Sequence, residues 1–266
     1  MKRIKHNDLT HYFLRPHEEL PRAYLASCEK FFKEISRKPQ ASSSKPQASS
    51  ATKKTQLKDI NKTERNIMKT SEAIQITHTL SNPSKMPGWS YGLPAKECKT
   101  GSKLRLVKGS TCYNCYALKG CYVFPDVKAA QYKRLASLKL DPWTTAMAAQ
   151  INSKKSKWFR WHDSGDVQDL DHLNKIFKVC RLTPATRHWI PTREAWTRDH
   201  VSRAPDNLII RFSIPMIDQE PAGSWPNTST VVTKGATCPA PLQDGKCKEC
   251  RMCWNKKISN VSYGKH

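Results

Sequence analysis

The chain has 266 residues, a formal net charge of +24 and a pI of about 9.8, with basic residues along its whole length; this predicts a polyanionic partner, DNA or RNA before a membrane. Hydrophobic residues make up 38% and mean hydropathy is −0.69, polar enough that part of the length is expected to stay outside any packed core. No stretch approaches the ~18 apolar residues of a membrane span, and no apolar run follows Met1-Lys2-Arg3-Ile4-Lys5-His6 to make a signal peptide, so a cytoplasmic location is expected.

Leu20, Tyr24, Phe31, Phe32 and Ile35 recur at helical spacing and predict an amphipathic helix over Leu20–Ile35, with Cys28 inside it as a packing residue. Lys38-Pro39-Gln40-Ala41-Ser42-Ser43-Ser44 is nearly repeated at Lys45–Ser50, a composition without the apolar surface to offset the entropy of ordering, and reads as a flexible linker. Residues 1–70 are therefore read as a basic, largely disordered tail with one helix. Beyond Asn82, the segment holding Pro83, Pro87, Gly88, Gly92 and Pro94 around Trp89 and Tyr91 reads as a loop with aromatic anchors.

Strand-forming runs follow at Leu104–Val107, Trp158–His162, His188–Ile190 and Leu208–Ile214, with a weaker one at Thr230–Thr233. Helical patterns over Val127–Leu140, Pro142–Ile151 and Leu170–Val179 lie between the first three. This alternation predicts an α/β fold with a parallel sheet, and polar residues at the strand ends favour a partial (β/α) barrel over 71–234. Lys154, Lys155 and Lys157 read as a solvated loop at the opposite rim. Residues 235–266 form a cysteine-rich C-terminal extension.

Ten cysteines in a reducing compartment are expected to bind metal or do chemistry. The first group is Cys98, Cys112, Cys115 and Cys121, after the Leu104–Val107 run and before a helix whose positive end favours thiolates. The second is Cys238-x8-Cys247-x2-Cys250-x2-Cys253, a run of the kind that holds [4Fe-4S] clusters. One or two clusters are expected. Zinc is the alternative, pairing Cys112 and Cys115 with two of the later four, in a protein whose charge carries nucleic-acid binding. Cys180 stands alone on an apolar pattern and reads as core.

The second predicted strand ends in Arg160-Trp161-His162-Asp163-Ser164-Gly165-Asp166, a polar cluster where parallel sheets bind ligands. His162 and Asp163 are candidates for function, Gly165 for close backbone approach to a ligand, and Ser164 or Asp166 equally for capping the next helix. Arg193 and Arg211, on later strands, are candidates for binding a carboxylate or phosphate substrate group.

The stretch Pro87-Gly88-Trp89-Ser90-Tyr91-Gly92-Leu93-Pro94, the Cys112-x2-Cys115-Tyr116-Ala117 loop, Arg160–Asp166 and the Cys-x2-Cys-x2-Cys-Trp tail resemble the phage gene product 88 family over about residues 80–266. A phage protein of this family would act in the bacterial host cytoplasm. More distantly, the cysteine loop and the Gly165-Asp166 step resemble the layout of radical S-adenosylmethionine enzymes. That resemblance implies an open cluster on Cys98, Cys112 and Cys115, with Cys121 as the other way to complete it. It further implies S-adenosylmethionine held by Ser164, Gly165 and Asp166, and a closed auxiliary cluster on Cys238, Cys247, Cys250 and Cys253. Its radical motif is normally Cys-x3-Cys-x2-Cys, and this chain departs from it.

Overall fold

The computed structural model describes residues 17–37 and 68–265, which belong to two compact units, 1–65 and 66–266. The expected linker over 38–50 and most of the expected tail lie outside the described residues. In the first unit, helix α1 (Arg22–Arg37) follows the predicted span, with Leu20, Tyr24 and Cys28 buried at i, i+4 spacing.

The second unit begins with helix α2 (Thr70–Thr77) and is organised by six strands: β1 (Trp89–Tyr91), β2 (Trp158–Trp161), β3 (Arg187–Thr192), β4 (Leu208–Ser213), β5 (Thr228–Val232) and β6 (Asn260–Gly264). They form one parallel sheet in the order β1-β2-β3-β4-β5-β6, every neighbour being the next strand in the chain. Each crossover steps the same way, so there is no reversal point of the sort that splits a doubly wound sheet. β1 and β6 are edges. The sheet is open, an α/β arrangement with a parallel sheet as expected.

Both faces of the sheet are covered, as parallel sheets require. On one face, helix α5 (Trp143–Ser153) and helix α6 (Leu170–Leu182) bury Trp143, Met147, Ile151, Leu173, Ile176 and Phe177 against Phe159, Trp161, Ile190, Leu208 and Ile210. Each such side chain contributes about 1.5–3 kcal/mol by leaving water. Period-two alternation sends Trp158, Arg160, Trp189, Ile209 and Arg211 to the other face, where Trp254 from the β5–β6 connection packs on Trp158 and Trp189.

Two expectations are corrected. Leu104–Val107 is not a strand: helix α3 (Lys99–Leu104) ends there and the chain turns, with Leu106 87% exposed, because no neighbouring strand offers that run a face to bury. The first strand is Trp89–Tyr91, inside the segment read as a loop. It is too short to show periodicity, and it is fixed by pairing with β2 and by a bridge from Ser90 to Ser81. β6 turns only Val261 and Tyr263 inward and is too short to show a pattern.

Candidate metal centres

The β1–β2 connection holds the first cysteines. α3 starts directly after Cys98, and the chain returns through turns to Cys112 and Cys115, then through 3-10 turns over Tyr116–Leu118 and Gly120–Val123 into helix α4 (Pro125–Ser137). A Cβ at Gly101 would stand 3.7 Å from both Cys98 Sγ and Cys112 Sγ, so these two sulfurs flank the same glycine. Burial pushes the Cys98 thiol up, and the charges of Asp166, Cys115, Cys112 and Glu194 push it further. Cys115 is raised by burial and by Cys112, against a backbone hydrogen bond from Ala117 and the nearby Arg193 and Arg105 cations. Cys121 is exposed on its turn beside Tyr122.

Glu194 is the residue that sequence reading missed. It is 4% exposed; its Oε1 accepts from Thr100 N (2.9 Å) at the start of α3, and its Oε2 from Trp196 Nε1 (3.2 Å). The carboxylate thus fixes the helix start that carries Cys98. Its one legible signal was an acid at a strand's carboxyl end. Cys98, Cys112 and Cys115 thus lie near the Asp166 and Glu194 carboxylates, and burial with these like charges keeps the Cys98 thiol protonated.

The polar cluster after β2 divides by role. Gly165 has φ +77°, and a Cβ there would come within 2.6 Å of Leu93 Cβ, so the close approach it permits is to the chain's own backbone. Ser164 donates to Leu93 O (2.7 Å) and accepts from Gln131 Nε2 (2.9 Å). Asp166 accepts from Val167 N and, at 2.8 Å, from Arg193 N, tying β2 to β3; burial raises its carboxyl to about 6. The α6 cap is Asp169, which accepts from His172 N at 2.8 Å, in place of the expected Ser164 or Asp166. His162 is 2% exposed at φ +56°, 5.2 Å from the His172 ring, and burial holds it neutral. Asp163 and Ser164 line a cavity with Tyr122, Gln131 and Arg134. Among the described residues, Asp163 Oδ1 is buried without a hydrogen-bond partner.

The second group sits on the β5–β6 connection. Cys238, Cys247, Cys250 and Cys253 line one cavity whose other walls are Pro239, Ala240, Met252, Trp254 and Val261. Its frame is backbone: Cys238 N donates to Ser262 O, Cys247 N to Lys85 O and Cys250 N to Cys247 O, all at 2.8–2.9 Å. Trp254, 3% exposed, donates to Phe159 O at 3.0 Å and anchors the segment to the sheet. Burial raises Cys253 to about 11, opposed by the Tyr263 hydroxyl 3.1 Å from its sulfur. Among the described residues no three Cys, His, Asp or Glu side chains converge as a single ion requires. A cluster spreads its thiolates over separate irons and does not need that convergence.

The arginines are placed otherwise than expected. Arg211 is fully buried, and all five of its N–H groups go to carbonyls: Cys253, Thr228, Ser259, Met252 and Asn255. No donor is left for a substrate. It braces the second cysteine segment. Arg193 donates to Ser213 O (2.7 Å) and Ile214 O (2.8 Å), joining β3 to β4 beside Cys115. Arg160, given no separate role in the sequence, touches both groups: its Nη2 donates to Tyr116 Oη (3.2 Å) beside the first, and its charge acts on Cys247 and Cys253 of the second. Burial alone would depress it, but the neighbouring Asp163 carboxylate favours its charged form.

The family model described as gene product 88 matches residues 48–256, a span that takes in both cysteine groups. The chain belongs to the phage gene product 88 family. Neither curated proteins nor solved structures provide a match. In this gene product 88 chain the match closes just after Cys253, so the four-cysteine segment is part of the family's own extent and β6 lies beyond it. No described helix is long and apolar enough to cross a membrane.

Proposed function

We propose that this gene product 88 protein is an iron–sulfur enzyme of the radical S-adenosylmethionine type, built on a partial (β/α) barrel. Cys98, Cys112 and Cys115 would hold a cluster with one iron open, and Cys238, Cys247, Cys250 and Cys253 a closed one. Its substrate class is nucleotide, nucleic acid or peptide. The observation that carries this reading is the division of the cysteines: four line one cavity, three gather beside Asp166 and Glu194, and Cys121 is exposed. The one-way strand order is the winding of a barrel segment and supports the same reading.

The residues fit the groups proposed. The four-sulfur cavity is otherwise apolar, a lining that would limit water around a cluster held there. When bound, an open cluster would supply one electron for reducing a sulfonium cofactor. The chain's own part is positional. Glu194 fixes the start of α3, Asp166 and Arg193 lock the β2 and β3 ends around Cys98 and Cys115, and Asp163 and Ser164 line the adjoining cavity.

Anaerobic expression followed by iron, sulfide and zinc analysis tests the metal. A brown protein with iron and acid-labile sulfide is expected, and a colourless one with stoichiometric zinc would overturn the proposal. Cys121→Ala is expected to keep the full iron content and Cys112→Ala to lose part of it. Reduction with S-adenosylmethionine present is expected to release 5′-deoxyadenosine; intact clusters without that product would reduce the role to electron transfer or bracing.

A further inference from the structure

The surface around the first cysteine group differs from the rest of the described molecule. Every aromatic side chain among the exposed large hydrophobics lies in it: Tyr113 (49% exposed), Tyr116 (55%), Phe124 (59%) and Tyr132 (43%). Two of these rings are held by their hydroxyls while their faces stay open. Tyr116 Oη donates to Asp163 O at 2.5 Å, accepts from Arg160, and its ring meets Tyr122 edge-on at 5.7 Å; Tyr132 Oη donates to Glu97 Oε1 at 3.1 Å. A ring fixed in this way loses little freedom on receiving a ligand.

The charge around these rings is one-sided. Between residues 96 and 139 there are ten lysines and arginines against two acids, Glu97 and Asp126, and of the ten only Arg134 is buried, with its guanidinium bound to Gly92 O and Thr79 O. The ion pairs among the described residues, Lys175–Asp171, Arg198–Asp199 and Lys248–Asp244, take none of those ten. Open aromatic faces interleaved with unpaired cations match what single-stranded nucleic acid offers, bases to stack and phosphates to neutralise. A duplex keeps its bases stacked on one another and would meet only the cations.

We propose that the β1–β2 connection is a docking surface for single-stranded nucleic acid, with Tyr113, Tyr116 and Phe124 as stacking platforms and Lys119 and Lys128 among its phosphate contacts. This names the substrate class of the proposed enzyme, and rests on that reading only for its catalytic meaning. Strand binding itself needs no cluster.

The test is fluorescence anisotropy of the full-length protein with a labelled mixed-sequence single strand and with its duplex, over a salt series, alongside iron content and melting temperature. The single strand is expected to bind more tightly, with affinity falling steeply as salt rises. Tyr113→Ala and Phe124→Ala are each expected to weaken it about ten-fold, with iron content and melting temperature unchanged. Lys119→Gln is expected to reduce the salt slope by about one. Equal affinity for the duplex with no effect of the aromatic variants overturns the proposal, as does a self-association that Phe124→Asp dissolves without altering strand binding. Wild-type protein that binds the strand yet takes up no iron would sink the cluster reading and leave this surface standing.

Discussion

The two cysteine groups are built in opposite ways. The second hangs on one buried cation: Arg211 gathers carbonyls from Met252, Cys253, Asn255 and Ser259, and Trp254 pins the same turn to the sheet. Its four sulfurs face an apolar cavity. The first is carried by an insertion at the sheet's carboxyl edge, among Asp166, Glu194 and Arg193, with exposed rings around it. Closed framing suits a group that only stores charge or braces the fold, whereas an acid-lined edge under an accessible surface suits one that meets a ligand.

The largest effect is expected where the frame has one centre. Arg211→Leu removes five hydrogen bonds to carbonyls, although Met252 O, Asn255 O and Ser259 O each keep a backbone N–H donor, and the cost is on the order of 3–5 kcal/mol, or a melting temperature lower by roughly 10 °C. Thermal unfolding monitored by far-UV circular dichroism measures it. Arg193→Leu, which removes two carbonyl contacts at the open edge, is expected to cost less than half as much. Equal costs would erase the contrast between the two groups.

The acids of the first group allow a sharper comparison. Burial raises the Asp166 carboxyl from 3.8 to about 6. Between those values the folded chain holds a proton that the unfolded chain has released, so stability falls as pH rises through the window, by up to about 3 kcal/mol, and the deficit is complete above it. Asp166→Asn removes this slope. Buried His172, lowered to about 4, makes stability rise with pH over much of the same range, so the quantity to follow is the difference between wild type and variant. Denaturant unfolding at pH 4, 5, 6 and 7 should show the variant gaining on wild type as pH rises. A constant difference would mean that no buried carboxylate is destabilised at this edge.

How much was legible follows the same division. The strands β2, β3 and β4 and the helices α5 and α6 stood out because Trp, Phe, Ile and Leu fill both sheet faces and one stripe of each helix. β1 and β6 did not, since short edge strands are held by pairing and not by pattern. Cysteine spacing disclosed both groups. It could not assign Arg211 to a brace or Gly165 to Leu93, because those partners are brought together by topology, and a fork of donors reads the same whether it meets a substrate or the chain's own carbonyls. Asp166 and Ser164 read as caps for a similar reason: three side chains near one helix start could serve, and the one in register was Asp169.

The smallest predicted effect probes the closed group from inside. The Tyr263 hydroxyl lies 3.1 Å from Cys253 Sγ, and burial pushes its own ionisation well up, so it stays a hydrogen-bond donor at any working pH. A hydrogen bond to a cluster sulfur favours the reduced, more negative state. Tyr263→Phe keeps the ring and removes the donor. With a bond of about 0.5–1.5 kcal/mol and a one-electron couple, the potential of the proposed second cluster is expected to move roughly 20–65 mV more negative. Spectroelectrochemical titration of the iron-loaded protein reads that shift, and Cys112→Ala isolates the second cluster's signal. A potential unmoved in Tyr263→Phe, with iron content intact, would mean that Cys253 is not a ligand of the closed group. The proposed cluster would then rest on at most the remaining three thiols, and the contrast between a closed and an open site would fail at the closed end.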